Sequence, residues 1–149
     1  MVVIIKPTYG CNLNCRYCYL SSETKSYDTF NCDFIIPVIR QIKSFCEQHH
    51  RQNLTIIWHG GEPLLWGINN YSKVFSFMRK EFLDYPYKNL IQTNLTLLTQ
   101  EYIDLFKEYN VRLGFSFDGP KFIHDKQRIH RDGQGSFDNV MDKLAMQKE

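Results

Sequence analysis

The sequence predicts an α/β fold with a parallel sheet, and three observations carry that reading. Short β-branched runs alternate with helical stripes along the 149 residues, the pattern of right-handed strand–helix–strand units. Each strand run ends in locally unusual sequence, and functional loops of such folds follow the carboxyl ends of the strands. The length suits one domain able to bury a real core.

The elements follow in order. Val2-Val3-Ile4-Ile5 reads as a buried strand, stopped by Pro7 and Gly10. Asp33 to His50 reads as a helix with its stripe on Phe34, Val38, Ile42 and Phe45. Leu54 to Trp58 is a second strand, broken by Gly60-Gly61 and Pro63. Asn70 to Phe82 is a second helix, lined by Tyr71, Val74, Phe75, Met78 and Phe82. Asn89 to Gln92 is a third strand, and Thr99 caps a third helix faced by Ile103, Phe106 and Tyr109. Val111 to Phe117 is a fourth strand, closed by Asp118-Gly119-Pro120. A polar loop follows, and Ser136 caps a last helix running toward the C-terminus.

Composition narrows the function. A net charge of +2 gives no reason to expect nucleic acid or a membrane surface as partner. The apolar run Val2–Ile5 is too short for a signal peptide or a membrane span, so a cytoplasmic location is expected. In that reducing setting five cysteines, an odd number, read as metal-binding or catalytic rather than as disulfides.

Cys11, Cys15 and Cys18 lie within eight residues. A closed structural zinc site takes four protein ligands, whereas a cubane iron–sulfur cluster on three cysteines keeps one iron open for chemistry. The bland alternatives are buried structural cysteines or half of a zinc site, with Cys32 or Cys46 as a fourth ligand. Cys46 falls inside the first helix, where a core or surface role suits it; the segment around Cys32 has no clear structure. Gly60-Gly61-Glu62-Pro63 combines φ freedom for close approach to a ligand, a carboxylate acceptor and a stiff exit, although alone it would be a turn. His59 is a strand-end histidine that a rim or core role would explain. Asn94, after Gln92-Thr93, either closes a turn or faces a pocket. Alternation puts Ser116 and Asp118 on one face, and Asp118-Gly119-Pro120 alone is a tight turn. Arg128 suits two-pronged pairing with a carboxylate, with Arg131 as a neighbouring competitor. The aromatics, 15% of the chain, default to packing; Trp66 is the exception, expected at a cavity mouth.

Lys6-Pro7-Thr8-Tyr9-Gly10-Cys11-Asn12-Leu13-Asn14-Cys15-Arg16-Tyr17-Cys18-Tyr19 resembles the cluster loop of radical S-adenosylmethionine (SAM) enzymes. The likeness is greatest to the branch holding anaerobic sulfatase-maturating enzymes and SPASM-type peptide maturases, and the other strand-end motifs match it in order. The resemblance implies that Cys11, Cys15 and Cys18 ligate a [4Fe–4S] cluster whose fourth iron takes the amino and carboxylate groups of SAM. It places Tyr17 near the cluster and adenine. It assigns the backbone of Gly60, Gly61, Glu62 and Pro63, and the Glu62 carboxylate, to the SAM amino group. Asn94 joins the pocket, in a loop where relatives commonly have glycine in place of Leu95. Ser116 donates to a carboxylate or ribose hydroxyl, and Arg128 meets the SAM carboxylate.

The implied fold is a partial radical-SAM (β/α) barrel, with about four of roughly six strand–helix units. The implied chemistry is reductive cleavage of SAM to a 5′-deoxyadenosyl radical that abstracts hydrogen from a peptide or protein substrate. A flavodoxin or ferredoxin would supply the electron, under anaerobic conditions. Residues 1–149 are expected to be the N-terminal part of a longer core domain, without the auxiliary-cluster domain of those relatives. A small-molecule radical SAM enzyme, or an inactive fragment with a structural metal site, stands as the alternative.

Overall fold

The computed structural model describes residues 1–20 and 28–146. Four strands, β1 (Val2–Ile5), β2 (Leu54–Trp58), β3 (Tyr87–Thr93) and β4 (Val111–Phe115), form one sheet in the order β1-β2-β3-β4. All three pairings are parallel, with Ile5 beside Trp58, Trp58 beside Ile91, and Thr93 beside Phe115. A helix follows each of the first three strands: α1 (Cys32–Gln48), α2 (Ile68–Glu81) and α3 (Gln100–Glu108). Beyond β4 come α4 (Lys121–Gln127) and α5 (Phe137–Ala145). The expected parallel α/β architecture is present, and the sequence order of the units is their order across the sheet.

The side chains alternate across the sheet, as a pleat requires. Leu54, Ile56, Trp58, Asn89 and Ile91 point to the buried, helix-covered side. There Trp58 stacks on Trp66 at 5.5 Å between ring centres and meets Tyr71 edge-on at 5.6 Å. Offset stacks and edge contacts of this kind add to the burial that holds a core together. The indole of Trp58 donates to Asn89 Oδ1 at 2.7 Å, and that of Trp66 to the Phe30 carbonyl at 2.6 Å. Trp66 is therefore a core residue, only 2% exposed, and not part of a cavity mouth. It lies in a short 3-10 turn, Pro63–Trp66, that the sequence pattern does not reveal.

Several boundaries and one face differ from expectation. Helix α1 starts at Cys32, capped by the Asn31 side chain on the Asp33 amide, and buries Cys32, Ile35, Ile39 and Cys46. The expected stripe is rotated away from the core: Phe34, Val38 and Phe45 are exposed. Strand β3 is longer than expected and β4 shorter, so Ser116 and Phe117 lie past the strand end. The Ser116 amide still donates to the Thr93 carbonyl at 3.1 Å, which prolongs the pairing by one bond. The polar loop after Pro120 contains α4, a seven-residue helix that polar composition concealed.

Candidate active site

The cysteine loop runs off β1 and is tied down along both sides. Thr8 Oγ1 accepts from the Gly10 amide and donates to the Asp28 carbonyl, both at 2.9 Å. The amides of Asn14 and Arg16 donate to the carbonyls of Ile129 and Gln127 at 2.8 Å. Arg131 closes the loop's entrance with Nε and Nη2 on the Cys11 carbonyl, at 3.2 and 3.0 Å. Arg131 thus braces the loop, which separates its task from that of Arg128. A turn, Cys18 amide to Cys15 carbonyl at 3.1 Å, sets the last two cysteines on one bend.

Gly60 and Gly61 pass beneath this loop. The Gly61 amide donates to the Thr8 carbonyl at 3.1 Å and the Glu62 amide to the Gly10 carbonyl at 2.7 Å. A Cβ on Gly61 would stand 2.1 Å from the Gly10 oxygen, and one on Gly60 2.3 Å from the Thr8 oxygen. Gly60 also holds φ at +134°, a conformation open to glycine. The close approach expected toward a ligand is thus, first of all, an approach of the chain to its own cysteine loop. Both glycines still line the cavity, and among the described residues no backbone amide donates to either carbonyl.

Glu62 is fully buried. Oε1 accepts from the Leu64 amide at 2.9 Å and from Thr93 Oγ1 at 2.6 Å, while Oε2 accepts from the Asn94 amide at 2.7 Å. Its carboxylate joins the loops after β2 and β3 and has protein donors on both oxygens. Burial lifts its pKa from 4.5 to about 6, against the pull of those three hydrogen bonds.

One cavity of about 190 Å³ is lined by Cys11, Cys15, Tyr17, Cys18, Tyr19, His59, Gly60, Gly61, Gln92, Thr93, Asn94, Ser116 and Arg128. It holds the three clustered cysteines and, of the other expected cofactor residues, Tyr17, Gly60, Gly61, Asn94, Ser116 and Arg128. Glu62 and Pro63 stand behind its wall. Cys32 and Cys46 pack in the hydrophobic core, away from the clustered thiols. A larger groove of about 420 Å³, between α3 and β4, is lined by Ile103, Phe106, Lys107, Asn110, Val111 and Leu113 and contains none of the cysteines.

Polar donors face the sulfurs. Asn94 Nδ2 lies 3.8 Å from Cys11 Sγ, and Arg128 Nη1 lies 3.9 Å from Cys15 Sγ. A guanidinium and an amide at these positions favour thiolate, the form that ligates metal. Among the described residues no three His, Cys, Asp or Glu side chains converge closely enough to hold a single ion. Three cysteines around one cavity suit a multi-iron core, which offers each thiolate its own iron, and are one short of the four protein ligands of a closed tetrahedral zinc site. The donor set fits a three-cysteine cluster.

Asp118, read from sequence as a turn residue, has a larger part. Its Oδ2 accepts from the Tyr17 hydroxyl at 2.6 Å and its Oδ1 from Arg128 Nε at 3.0 Å. Burial raises its pKa, but the Tyr17 and Arg128 bonds outweigh that and bring it below the ordinary value. Tyr17 is pushed up to about 12, first by burial and then by the bond to Asp118, so it stays a phenol. His59 accepts from the Gly60 amide through Nδ1 at 2.7 Å, and burial and then Lys6 lower its pKa. A neutral ring with its proton on Nε2 follows. The Asp118 contacts to Tyr17 and Arg128, and the place of His59 on the cavity wall, are what the sequence hides, because a DGP turn and a strand-end histidine are common in structural roles.

A parallel strand–helix sheet with three thiols gathered at its carboxyl rim is the layout of a barrel-type α/β protein built to hold a cofactor there. Within that class, the chain belongs to the radical SAM superfamily, whose family model matches residues 5–149. It is 33% identical over 155 residues to a cysteine-type anaerobic sulfatase-maturating enzyme of Clostridium novyi, covering 97% of this chain and 39% of that protein. A serine-type anaerobic sulfatase-maturating enzyme of Bacteroides thetaiotaomicron is 32% identical over 152 residues, covering 100% of this chain and 37% of that one. An uncharacterized Synechocystis protein is 37% identical over 140 residues, covering 91% and 34%. Among solved structures, histidine-tagged anSMEcpe with bound AdoMet superposes with a TM-score of 0.88 at 29% identity, over 99% of this chain and 40% of that one. Native anSMEcpe with bound AdoMet and Cp18Cys peptide gives 0.85 at 28%, over 99% and 39%. The chain spans between a third and two fifths of the length of these relatives.

Proposed function

We propose that this chain forms the cofactor-binding part of a radical SAM enzyme that modifies a protein or peptide after translation, in the manner of a sulfatase maturase. Cys11, Cys15 and Cys18 hold a [4Fe–4S] cluster, and SAM lies against it in the cavity. Together these cofactors supply a 5′-deoxyadenosyl radical for hydrogen abstraction from the substrate; the protein positions them. Asn94 and Arg128 direct donors at the sulfurs of Cys11 and Cys15. The carbonyls of Gly60 and Gly61 offer acceptors to an ammonium group, and Arg128 offers donors to a carboxylate. Glu62 holds the two loops together from behind. Ser116, past the end of β4, is placed for a hydroxyl contact with the ligand.

The observation that carries this reading is that one cavity gathers all three clustered thiols with Gly60, Gly61, Asn94, Ser116 and Arg128. The sulfatase-maturating relatives and the neighbour with a bound Cp18Cys peptide support a peptide substrate. A cytoplasmic setting with a flavodoxin or ferredoxin as electron donor is our reading from cysteines that stand as thiols, which suits a reducing compartment; separately, among the described residues no helix is long and apolar enough to cross a membrane. The test is anaerobic reconstitution with iron and sulfide, reduction, and electron paramagnetic resonance with and without SAM. A reduced-cluster signal that shifts on adding SAM is expected, and is lost in Cys15→Ala. A signal indifferent to SAM, or zinc in place of iron after purification without oxygen, would overturn the proposal.

A further inference from the structure

Arg128 sits inside a closed ring of hydrogen bonds formed by four side chains and the backbone between them. Asp118 Oδ1 accepts from Arg128 Nε at 3.0 Å. The Asp118 amide donates to His124 Nδ1 at 3.4 Å, which leaves the ring proton on Nε2. His124 Nε2 then donates to Ser136 Oγ at 3.1 Å, and Ser136 Oγ donates to the Arg128 carbonyl at 2.9 Å, returning to the start. His124 and Ser136 are fully buried, so the bond between them is shielded from water. The Ser136 amide adds a second bond to the same carbonyl at 3.1 Å. Ser136 is the N-cap residue of α5 by position, yet its hydroxyl makes no cap bond and serves Arg128 instead.

The direction of the Asp118 bond matters. It engages Nε, one side of the guanidinium fork, and leaves the terminal nitrogens toward the cavity, where among the described residues Nη1 makes one long contact, 3.9 Å to Cys15 Sγ. The Arg128 side chain is 13% exposed and its carbon Cζ lies 5.4 Å from the centre of the Tyr17 ring, whose hydroxyl is itself on Asp118. A long side chain otherwise free to sample many rotamers is thereby held in one, and a planar fork held in one orientation loses little entropy when it binds a carboxylate.

We propose that Asp118 is a positioning residue for the site: anchored through His124 and Ser136, it holds Arg128 so that the terminal guanidinium edge receives the carboxylate of an amino-acid-bearing ligand. This rests on the SAM reading above. It differs from a purely structural role in one respect, since only ligands with the carboxylate should feel it.

The experiment uses the anaerobically reconstituted protein and two probes, S-adenosyl-L-homocysteine, which has the amino-acid end, and 5′-methylthioadenosine, which lacks it. Their binding is measured calorimetrically in the wild type and in Asp118→Ala, Asp118→Asn and Arg128→Ala. Asp118→Ala should weaken S-adenosyl-L-homocysteine about 10-fold or more, as loss of a charge-assisted contact does, and leave 5′-methylthioadenosine within about 2-fold. Asp118→Asn keeps an acceptor oxygen for Nε and should fall between. In the Arg128→Ala background Asp118→Ala should add almost nothing, because the two act through one contact. Equal weakening of both probes in a variant that keeps its far-ultraviolet circular dichroism, or additive losses in the double variant, would overturn the positioning role. Failure of the wild type to bind S-adenosyl-L-homocysteine more tightly than 5′-methylthioadenosine would overturn the SAM reading itself.

Discussion

Glu62 is a carboxylate with no exposed surface, and its environment sets a pH dependence that can be signed in advance. Its folded pKa, about 6, lies above the ordinary 4.5, chiefly because burial disfavours the charge. Stability from this group is therefore fully present below about pH 4.5 and is lost as the pH rises through about 6, at a cost of about 2 kcal/mol once ionised. Glu62→Gln removes the titration and turns an amide nitrogen toward the Asn94 N–H, which should cost about 1–3 kcal/mol at neutral pH. The gap between wild type and variant in urea unfolding should then narrow by about 1 kcal/mol from pH 5 to pH 7.5. A gap that stays constant would mean the carboxyl is ionised throughout. Leu95 offers a second residue-scale test. It holds φ at +72°, a conformation that favours glycine, yet its side chain is fully buried. Left-handed backbone costs a non-glycine residue about 1–2 kcal/mol, whereas a buried leucine is worth about 2–5 kcal/mol over alanine. Packing wins, so Leu95→Gly should destabilise. Leu95→Ala, which loses the packing and keeps the strain, should be worse than glycine by about 1 kcal/mol in thermal or urea unfolding. The usual ranking, with glycine the worse, would show that the backbone is not left-handed there.

Helix α1 shows what periodicity fixes and what it leaves open. Residues 34, 38, 42 and 45 satisfy a helical repeat, but so do 35, 39, 42 and 46, one residue and about 100° further round. Both stripes are apolar, so the sequence establishes a helix without saying which face is covered. The sheet and α2 decide: Ile39 and Cys46 are fully buried while Phe34 is 70% exposed. Phe34→Ser and Val38→Ser should each change stability by less than about 0.5 kcal/mol, as exposed substitutions do. Ile39→Ala should cost about 2–4 kcal/mol. Chemical denaturation of the three variants checks the rotation, and a large loss in Phe34→Ser would mean that this face is covered. The same logic explains α4, whose seven residues carry too little apolar pattern to be seen in sequence. It is held by tertiary bonds through His124 rather than by a stripe. Strand β2 was legible to the residue because β-branched residues fill it and glycines stop it. Strand β3 was read as starting two residues late, at Asn89 instead of Tyr87, because Lys88 near its start is a poor strand former kept there by its neighbours.

Across the whole molecule, the gathering of the candidate residues at one rim was legible and their wiring was not. Strand-end placement puts the cysteines, Gly60-Gly61, Asn94 and Ser116 on one rim, which a parallel order of units guarantees. The bonds that make the rim one object, Arg131 to Cys11, Glu62 to Thr93 and Asn94, and Asp118 to Arg128 and Tyr17, join residues 10 to 120 positions apart, and no local pattern encodes them. The same parallel order has a physical consequence at the sheet's margins. Among the described residues strands β1 and β4 each pair with a single neighbour, and on β1 Val2 and Ile4 are 62% and 58% exposed while Ile5 packs inward. An apolar, unpaired strand edge is a template for association with another chain. Residues 1–149 by themselves should therefore self-associate with rising concentration in sedimentation velocity. Lysine at both Val2 and Ile4 places charge on that edge without disturbing the core side of the strand. The doubly substituted chain should remain monomeric at concentrations where the wild type does not, with a melting temperature within a few degrees of it. A wild type that is monomeric throughout, or a Lys variant that associates equally, would show that another surface, or a covered edge, governs the assembly.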